Sequence, residues 1–240
     1  LHGKGAHHTI GADLILGLAA SDAVFVNWYD ATAANDTAYQ YNLTGNVVVN
    51  GQVDLTTDSH NYAKEAAFTG TLSGAGTITY SRGAGDGEYN SNGKMVICGD
   101  ASGFTGTLAL DSSNNYSTGL DLFSSVANAT VSLTSGTHEQ GFASMRVRGD
   151  VAVGTLNGTA NTWVGAVGGA RTLTVGAGVF NGTITDKGLA SSTNTSFSYD
   201  ESGVLSLTKV GDGTLTLAGT VSYTGLTNVQ GGTLALTSTG

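Results

Sequence analysis

The chain has 240 residues, 37 of them glycine and none proline, with 40% hydrophobic and only 11% charged residues. Its formal net charge is −9, and nine scattered basic residues cannot form a phosphate-binding stripe, which excludes nucleic acid and disfavours anionic membranes as partners. No run reaches the roughly 18 apolar residues of a membrane-spanning helix, so direct membrane insertion of this segment is not expected.

Residues 1–45 differ in composition from the rest. The run Ala12–Ala20 is short, carries Asp13, and lacks both the basic flank and the initiator Met of a signal peptide. Val24–Trp28 reads as a strand, and Asp30–Asp36 as a loop or short helical turn. These residues are predicted to form irregular N-terminal coils or a cap. His7 and His8 sit near His2 and Asp13, but adjacent strand residues point to opposite faces, so the two imidazoles cannot share a metal ion without a bend. His60 and His138 fall in separate polar segments.

From about residue 46 strict alternation takes over, and 46–240 are predicted to be a repetitive β-solenoid. Val47–Thr56 holds two short strands about a polar corner. A phrase then recurs: Phe68-Thr69-Gly70-Thr71-Leu72, Phe104-Thr105-Gly106-Thr107-Leu108, Phe180-Asn181-Gly182-Thr183-Ile184, and Tyr223-Thr224-Gly225-Leu226-Thr227. Glycine permits left-handed or bulged corners, alternate Leu, Ile and Val turn inward, and the aromatic is expected to stack on its counterpart in the next coil. Threonine suits the outer face, because its β-branch favours extended backbone while its hydroxyl meets water.

Between the last Gly-Thr-Leu copies, Gly213 and Gly232 stand close to the ~20-residue period of coiled repeats. The pattern predicts an all-β, right-handed parallel β-helix of roughly 20 residues per coil. About a dozen coils with strands ~4.8 Å apart would make a rod on the order of 50–60 Å long. A β-sandwich is the competing reading, against which stand the missing prolines and the lack of regularly spaced Asn-Gly hairpin pairs.

Candidate chemistry is sparse. Asp86, Glu88, Asn90 and Asn92 alternate in a Gly-rich loop, but asparagines replace carboxylates and no closing Glu follows, so a solvated polar loop is preferred to a calcium site. Asp54, Asp58, Lys64 and Glu65, and Asp100 and Asp111 about the Phe104 phrase, form no recognisable acid–base pair. Arg146 and Arg148 share a strand face, most simply a solvent edge. Cys98, the only cysteine, excludes an intrachain disulfide and reads as a small buried hydrophobe in Met95-Val96-Ile97-Cys98. Asn-x-Ser/Thr matches, among them those at Asn42, Asn115, Asn128 and Asn157, are expected by chance in so polar a chain. No catalytic, cofactor-binding or metal-ligating residue is assigned, no cofactor is implied, and the chain is not expected to be an enzyme.

The segment from Leu207-Thr208-Lys209-Val210-Gly211-Asp212-Gly213-Thr214-Leu215 through Tyr223-Thr224-Gly225 to Gly231-Gly232-Thr233-Leu234 closely resembles the autotransporter-associated β-strand repeat, also named the passenger-associated transport repeat. Val151–Thr162 and Arg171–Gly176 look like the coils that precede it, so the resemblance is clearest over 150–240. It implies a parallel β-helical passenger of a large bacterial surface protein, in which the repeat aids passage across the outer membrane and the rod presents loops. It transfers no catalytic residue.

The expected role is therefore a structural and adhesive cell-surface segment, anchored to the outer membrane through a region outside this chain. Expected partners are surface glycans or proteins of a host or neighbouring cell, with self-association through the solenoid ends. Two alternatives remain: a carbohydrate-active β-helix enzyme or carbohydrate-binding module, with Asp30–Asp36 and Asp86–Asn92 as groove walls, and a self-assembling surface filament or phage fibre subunit.

Overall fold

The computed structural model describes residues 7–28, 39–57, 64–82, 93–113, 117–136, 141–193, 196–199 and 202–237. Alternating inward apolar positions make the chain wind. The first coil lays down β1 (His7–Ile10), β2 (Leu14–Leu16) and β3 (Ala23–Trp28). The second repeats the three faces with β4 (Tyr39–Leu43), β5 (Val47–Val49) and β6 (Gln52–Thr57), and the third with β7 (Lys64–Phe68), β8 (Leu72–Gly74) and β9 (Thr77–Arg82). The fourth holds β10 (Gly93–Ile97), β11 (Gly103–Phe104) and β12 (Thr107–Ser112).

Beyond this point two longer strands make a coil: β13 (Thr118–Leu122) with β14 (Val126–Ser135), β15 (Ala143–Val147) with β16 (Val151–Gly158), and β17 (Thr162–Ala166) with β18 (Ala170–Phe180). After β19 (Thr183–Lys187), an antiparallel hairpin of β20 (Leu189–Thr193) and β21 (Ser196–Tyr199) leaves the winding path. The winding resumes with β22 (Val204–Lys209), β23 (Thr214–Leu217), β24 (Thr220–Val221), β25 (Thr227–Val229) and β26 (Thr233–Leu236).

Corresponding strands of successive coils pair in parallel, which gives the expected parallel β-helix. One nine-stranded sheet runs β1-β4-β7-β10-β13-β15-β17-β19-β24. An eleven-stranded sheet contains β3, β6, β9, β12, β14, β16, β18, β22, β25, β23 and β26, and a four-stranded sheet, β2-β5-β8-β11, closes the third side of the front coils. The two long sheets run from the first coils to the last, whereas the four-stranded sheet ends at β11 in the fourth coil.

The core is a set of ladders. In the nine-stranded sheet Met95, Leu120, Met145, Val164 and Ile184 stack in register, each at most 1% exposed. Across the interior, Val53, Ile78, Leu108, Val131 and Leu156 form the facing ladder, all fully buried. Each such side chain removed from water contributes roughly 1.5–3 kcal/mol. The recurring phenylalanines are buried but do not stack on one another. Phe68 ends β7 beside Ile97, Phe104 lies in the four-stranded sheet beside Gly74, and Phe180 ends β18 beside Gly158 and Leu217. The spacing between these phrases does not match the local coil length, so each copy lands on a different face.

The coil length is the second departure from expectation. In the C-terminal part the period is close to 20: Ser144 pairs with Trp163, Trp163 with Thr183, Leu207 with Thr227, and Leu215 with Leu234. Further forward, Lys94 pairs with Gly119 and Gly119 with Ser144, steps of 25 residues, and Glu65 pairs with Lys94 at a step of 29. Nine strands rather than a dozen therefore line the longest uninterrupted sheet path, about 40 Å at ~4.8 Å per strand.

Among the described residues the crossing from the eleven-stranded to the nine-stranded sheet is short in the later coils, made by 159–161, 181–182 and 218–219. Two glycines show why the tight coils need that residue. Gly178 has φ +137°, and a Cβ there would run into the Leu156 carbonyl of the preceding coil. A Cβ on Gly165 would meet the Lys187–Gly188 backbone at 2.7 Å.

Lys209 is the unusual core member. It is fully buried at the end of β22, and its ammonium donates to Val210 O (2.6 Å), Gly211 O (3.0 Å) and Gly231 O (3.1 Å). Three carbonyls at a glycine-rich corner, one from the following coil, thus find a single cationic donor.

Candidate binding surface

Two clefts stand out among the described residues on the outer face of the nine-stranded sheet. The first lies over β7, β10 and β13 and encloses about 390 Å³ between Glu65, Lys94, Cys98, Asp121, Phe123 and Arg148. Strand alternation sets the face: Met95 and Ile97 are inside, so Lys94, Val96 and Cys98 point out. Glu65 and Lys94, neighbours in register, form an ion pair.

Asp121 is the centre of this region. Its carboxylate is 3% exposed and is clamped between two guanidinium groups: Arg146 Nε donates to Oδ1, and Arg148 Nε donates to Oδ2 at 2.6 Å. The register places Arg146 directly beside Asp121. Arg146 also donates through Nη1 to Leu189 O (3.4 Å), where the β20–β21 hairpin leaves the sheet. Arg148 reaches outward across Phe123, its guanidinium carbon 5.6 Å from the ring centroid, and Phe123 itself is half-exposed.

Two sequence expectations change here. Arg146 and Arg148 do share a face, but that face is no solvent edge at Arg146, which is 4% exposed beneath Leu189. Burial is tolerated because Asp121 neutralises it. Cys98 is exposed, not a core residue, because it stands one position past the inward Ile97. Its thiol makes a long contact to Phe68 O at 3.6 Å, and partial burial raises its pKa.

The second cleft lies at the shortened corner, over β17, β19 and β24. It encloses about 330 Å³ and is lined by Asn161, Trp163, Asn181, Gly182, Thr183, Ala218, Gly219 and Thr220, none of them charged. Trp163, Thr183 and Thr220 are one row in register. Thr162 and Val164 are buried on the inner face, so Trp163 is turned outward and half-buried. The Phe142 ring meets the indole edge-on, centroids 5.5 Å apart at 78°.

The corner backbone is equally fixed. Asn161 holds φ +58°, a conformation asparagine tolerates, and its carbonyl accepts Ser135 Oγ at 2.6 Å. Asn181 donates both its backbone N–H and Nδ2 to Gly158 O, which leaves the amide oxygen available to accept. The cleft lies at short corners: three residues, 159–161, precede β17, and two, 181–182, precede β19.

Elsewhere, two carboxylates are held below their usual range. At Asp100 the cause is hydrogen bonding from Ser102, whose backbone N–H donates at 2.9 Å. At Asp186 partial burial works upward but is outweighed by donation from Thr224 Oγ1 (2.7 Å), Thr224 N (2.8 Å) and Leu205 N (3.0 Å), with Lys187 nearby. Asp54 accepts from Gln52 Nε2 (2.8 Å), which also reaches Thr79, so it serves the outer face of β6. Asp13 accepts from Asn46 N (2.8 Å) and ties the first two coils together.

Among the described residues no three His, Cys, Asp or Glu side chains converge as metal ligands. The Asp86–Asn92 loop, the Asp30–Asp36 segment, Asp58, His2, His60, His138 and Asn115 lie outside the described residues, as do the side chains of His7, His8 and Lys64. Neither Trp163 nor Asp121 stood out in the sequence. The alternation about Thr162 and Val164 is the one signal that turns Trp163 outward.

Comparison with known proteins bears out the repeat resemblance. Residues 207–236 match the family model described as the passenger-associated-transport-repeat, the segment from β22 to β26 that includes buried Lys209. Over 124 residues, half of the chain, the sequence is 32% identical to the adhesin BmaC autotransporter of Brucella suis biovar 1 (strain 1330). The aligned stretch is 3% of that adhesin's length. No solved structure matches.

Proposed function

We propose that this autotransporter-passenger-like segment acts as a surface-displayed adhesive stalk. The repeat at 207–236 and the likeness to an autotransporter adhesin support a secreted, surface-exposed passenger segment. The observation that carries the finer reading is the continuous parallel pairing of the nine-stranded sheet from His7 to Val221, with side chains on its outer face lining two clefts. A stack of paired coils keeps its binding residues at fixed spacing away from the cell, and the carboxylates of the first cleft are engaged by Lys94, Arg146 and Arg148. This favours binding over catalysis. Anchorage to the outer membrane and support of export through the C-terminal repeat belong to the same reading.

Exposed Cys98 supplies the test. A membrane-impermeant maleimide applied to intact source cells labels wild-type chain and leaves a Cys98→Ser variant unlabelled, and beads coated with purified chain bind target cells. Labelling only after lysis, or beads no more adherent than blanks, overturns the reading.

A further inference from the structure

The charges of the cleft beside Cys98 do not cancel. Glu65 and Lys94 neutralise each other, but a single carboxylate, Asp121, serves both Arg146 and Arg148. Three of the chain's nine basic residues thus stand here against two acidic ones, a local surplus of positive charge on a chain of net charge −9. Arg146 is buried, so the surplus is presented by Arg148, whose side chain is 25% exposed.

Arg148 uses only its Nε on Asp121. Among the described residues neither of its Nη amino groups has a partner, and neither is enclosed. The guanidinium is nonetheless held in place, by Asp121 and by the Phe123 ring beneath its central carbon. A fixed planar fork with unused N–H donors takes a carboxylate through two parallel hydrogen bonds. The Lys94 ammonium, paired with Glu65 alone, has donors to spare on the same lining.

The rest of the lining narrows the ligand. Phe123 is half-exposed, and Val96 and Cys98 stand beside it. Thr69 supplies the sole hydroxyl of the lining, and it already donates to Leu43 O at 3.2 Å. A sugar's hydroxyls would therefore find few partners, and a cation would find both carboxylates engaged. β7, β10 and β13 are each paired on both sides, which excludes strand addition by a peptide. The volume, about 390 Å³, falls within the range of small-ligand sites, of order 300–1,000 Å³.

We propose that this cleft binds the carboxylate of an apolar acid. Arg148 takes the carboxylate, and Phe123 and Val96 cover the apolar body. The same chemistry is offered by a free aliphatic or aromatic acid and by an acidic side chain flanked by apolar residues on a partner. The inference rests on the reading of the chain as surface-displayed and adhesive, and it names the class of group recognised.

Cys98 is the only cysteine and lines the cleft, so its alkylation by uncharged iodoacetamide at fixed pH reads occupancy. The rate is measured against benzoate and hexanoate, their amides, inorganic phosphate and sulfate, acidic oligosaccharides, and a Phe-Glu-Leu peptide with its Phe-Gln-Leu counterpart, both blocked at their ends. Saturable protection is expected from the apolar acids or the Glu peptide, not from the amides or the Gln peptide, and it should weaken as salt is raised. Stronger protection by the peptide assigns the carboxylate to a protein partner, stronger protection by the free acids to a small molecule, and either supports the proposal.

Arg148→Gln should weaken protection about tenfold, the scale of lost hydrogen bonds to a charged group. Phe123→Ala, at an exposed position, should weaken it as well with the melting transition unchanged, and Thr183→Val in the other cleft should leave it intact. No protection by any apolar carboxylate, equal protection by the amides, protection by phosphate, sulfate or acidic oligosaccharides at least as strong, or protection unmoved by both Arg148→Gln and Phe123→Ala would each overturn the proposal. Bead adhesion that persists without carboxylate protection overturns this inference alone, whereas failed surface labelling of Cys98 strikes the broader reading.

Discussion

The two clefts share one sheet and one face, yet they are built on opposite principles. Around Asp121 the outer surface is held together by charge: one carboxylate, two guanidinium groups and a neighbouring Glu65–Lys94 pair occupy positions that threonine fills elsewhere. Around Trp163 there is no charge, and backbone corners and an aromatic contact fix the shape. The difference follows from burial. Arg146, 4% exposed and donating to Leu189 O at the start of the hairpin, needs Asp121 to neutralise it; Trp163, half-buried against Phe142, makes no such demand.

The largest effect that would break this comparison is at Asp121. Asp121→Asn leaves two guanidinium groups facing each other, one of them buried, and should cost about 3–5 kcal/mol in denaturant unfolding. A loss below about 1 kcal/mol would mean that the cluster is solvent-screened like a surface pair. Next in size is Asp186, which joins β19, below the Trp163 cleft, to the coils of Leu205 and Thr224. Asp186→Asn should cost about 1 kcal/mol near neutral pH, hydrogen bonds to a charged group discounted for exposure.

Because the folded pKa of Asp186 lies below its unfolded value, this contribution is complete above the ordinary carboxylate range and is lost as pH falls through the folded value. Wild type and variant should therefore converge in acid, and a gap that widens on acidification would reverse the assignment. The smallest effects distinguish the clefts by their chemistry. Glu65→Gln should change stability by no more than about 0.5 kcal/mol and lose even that in high salt. Thr183→Val, at a half-exposed position in the uncharged cleft, should also stay within about 0.5 kcal/mol and show no salt dependence. A salt-dependent Thr183→Val effect would show that charge reaches the second cleft after all.

Much of the winding was legible in the chain because inward and outward residues alternate with period two. Leu205, Leu207, Leu215 and Leu217 announce a buried ladder, and all four are buried. The same rule, followed one residue further, would have turned Cys98 outward past Ile97. What alternation cannot supply is the register between coils. Arg146 meets Asp121 only because that coil is 25 residues long, and a period of 20 would have set it beside a different neighbour. The Trp163 cleft needs Asn161, Asn181 and Gly219 from three coils at one corner. Their meeting depends on the lengths of three separate corners, which no local pattern encodes.

Lys209 has a mechanical consequence. In a solenoid each coil touches only its neighbours, so tension along the rod peels it one turn at a time from an end. At most turns the resistance is a row of backbone hydrogen bonds plus apolar contact. Where Lys209 grips Gly211 and Gly231 together, a charged donor bolts one turn to the next from the inside, where water cannot compete. A pulling experiment would meet added resistance there, inside the segment that matches the transport repeat.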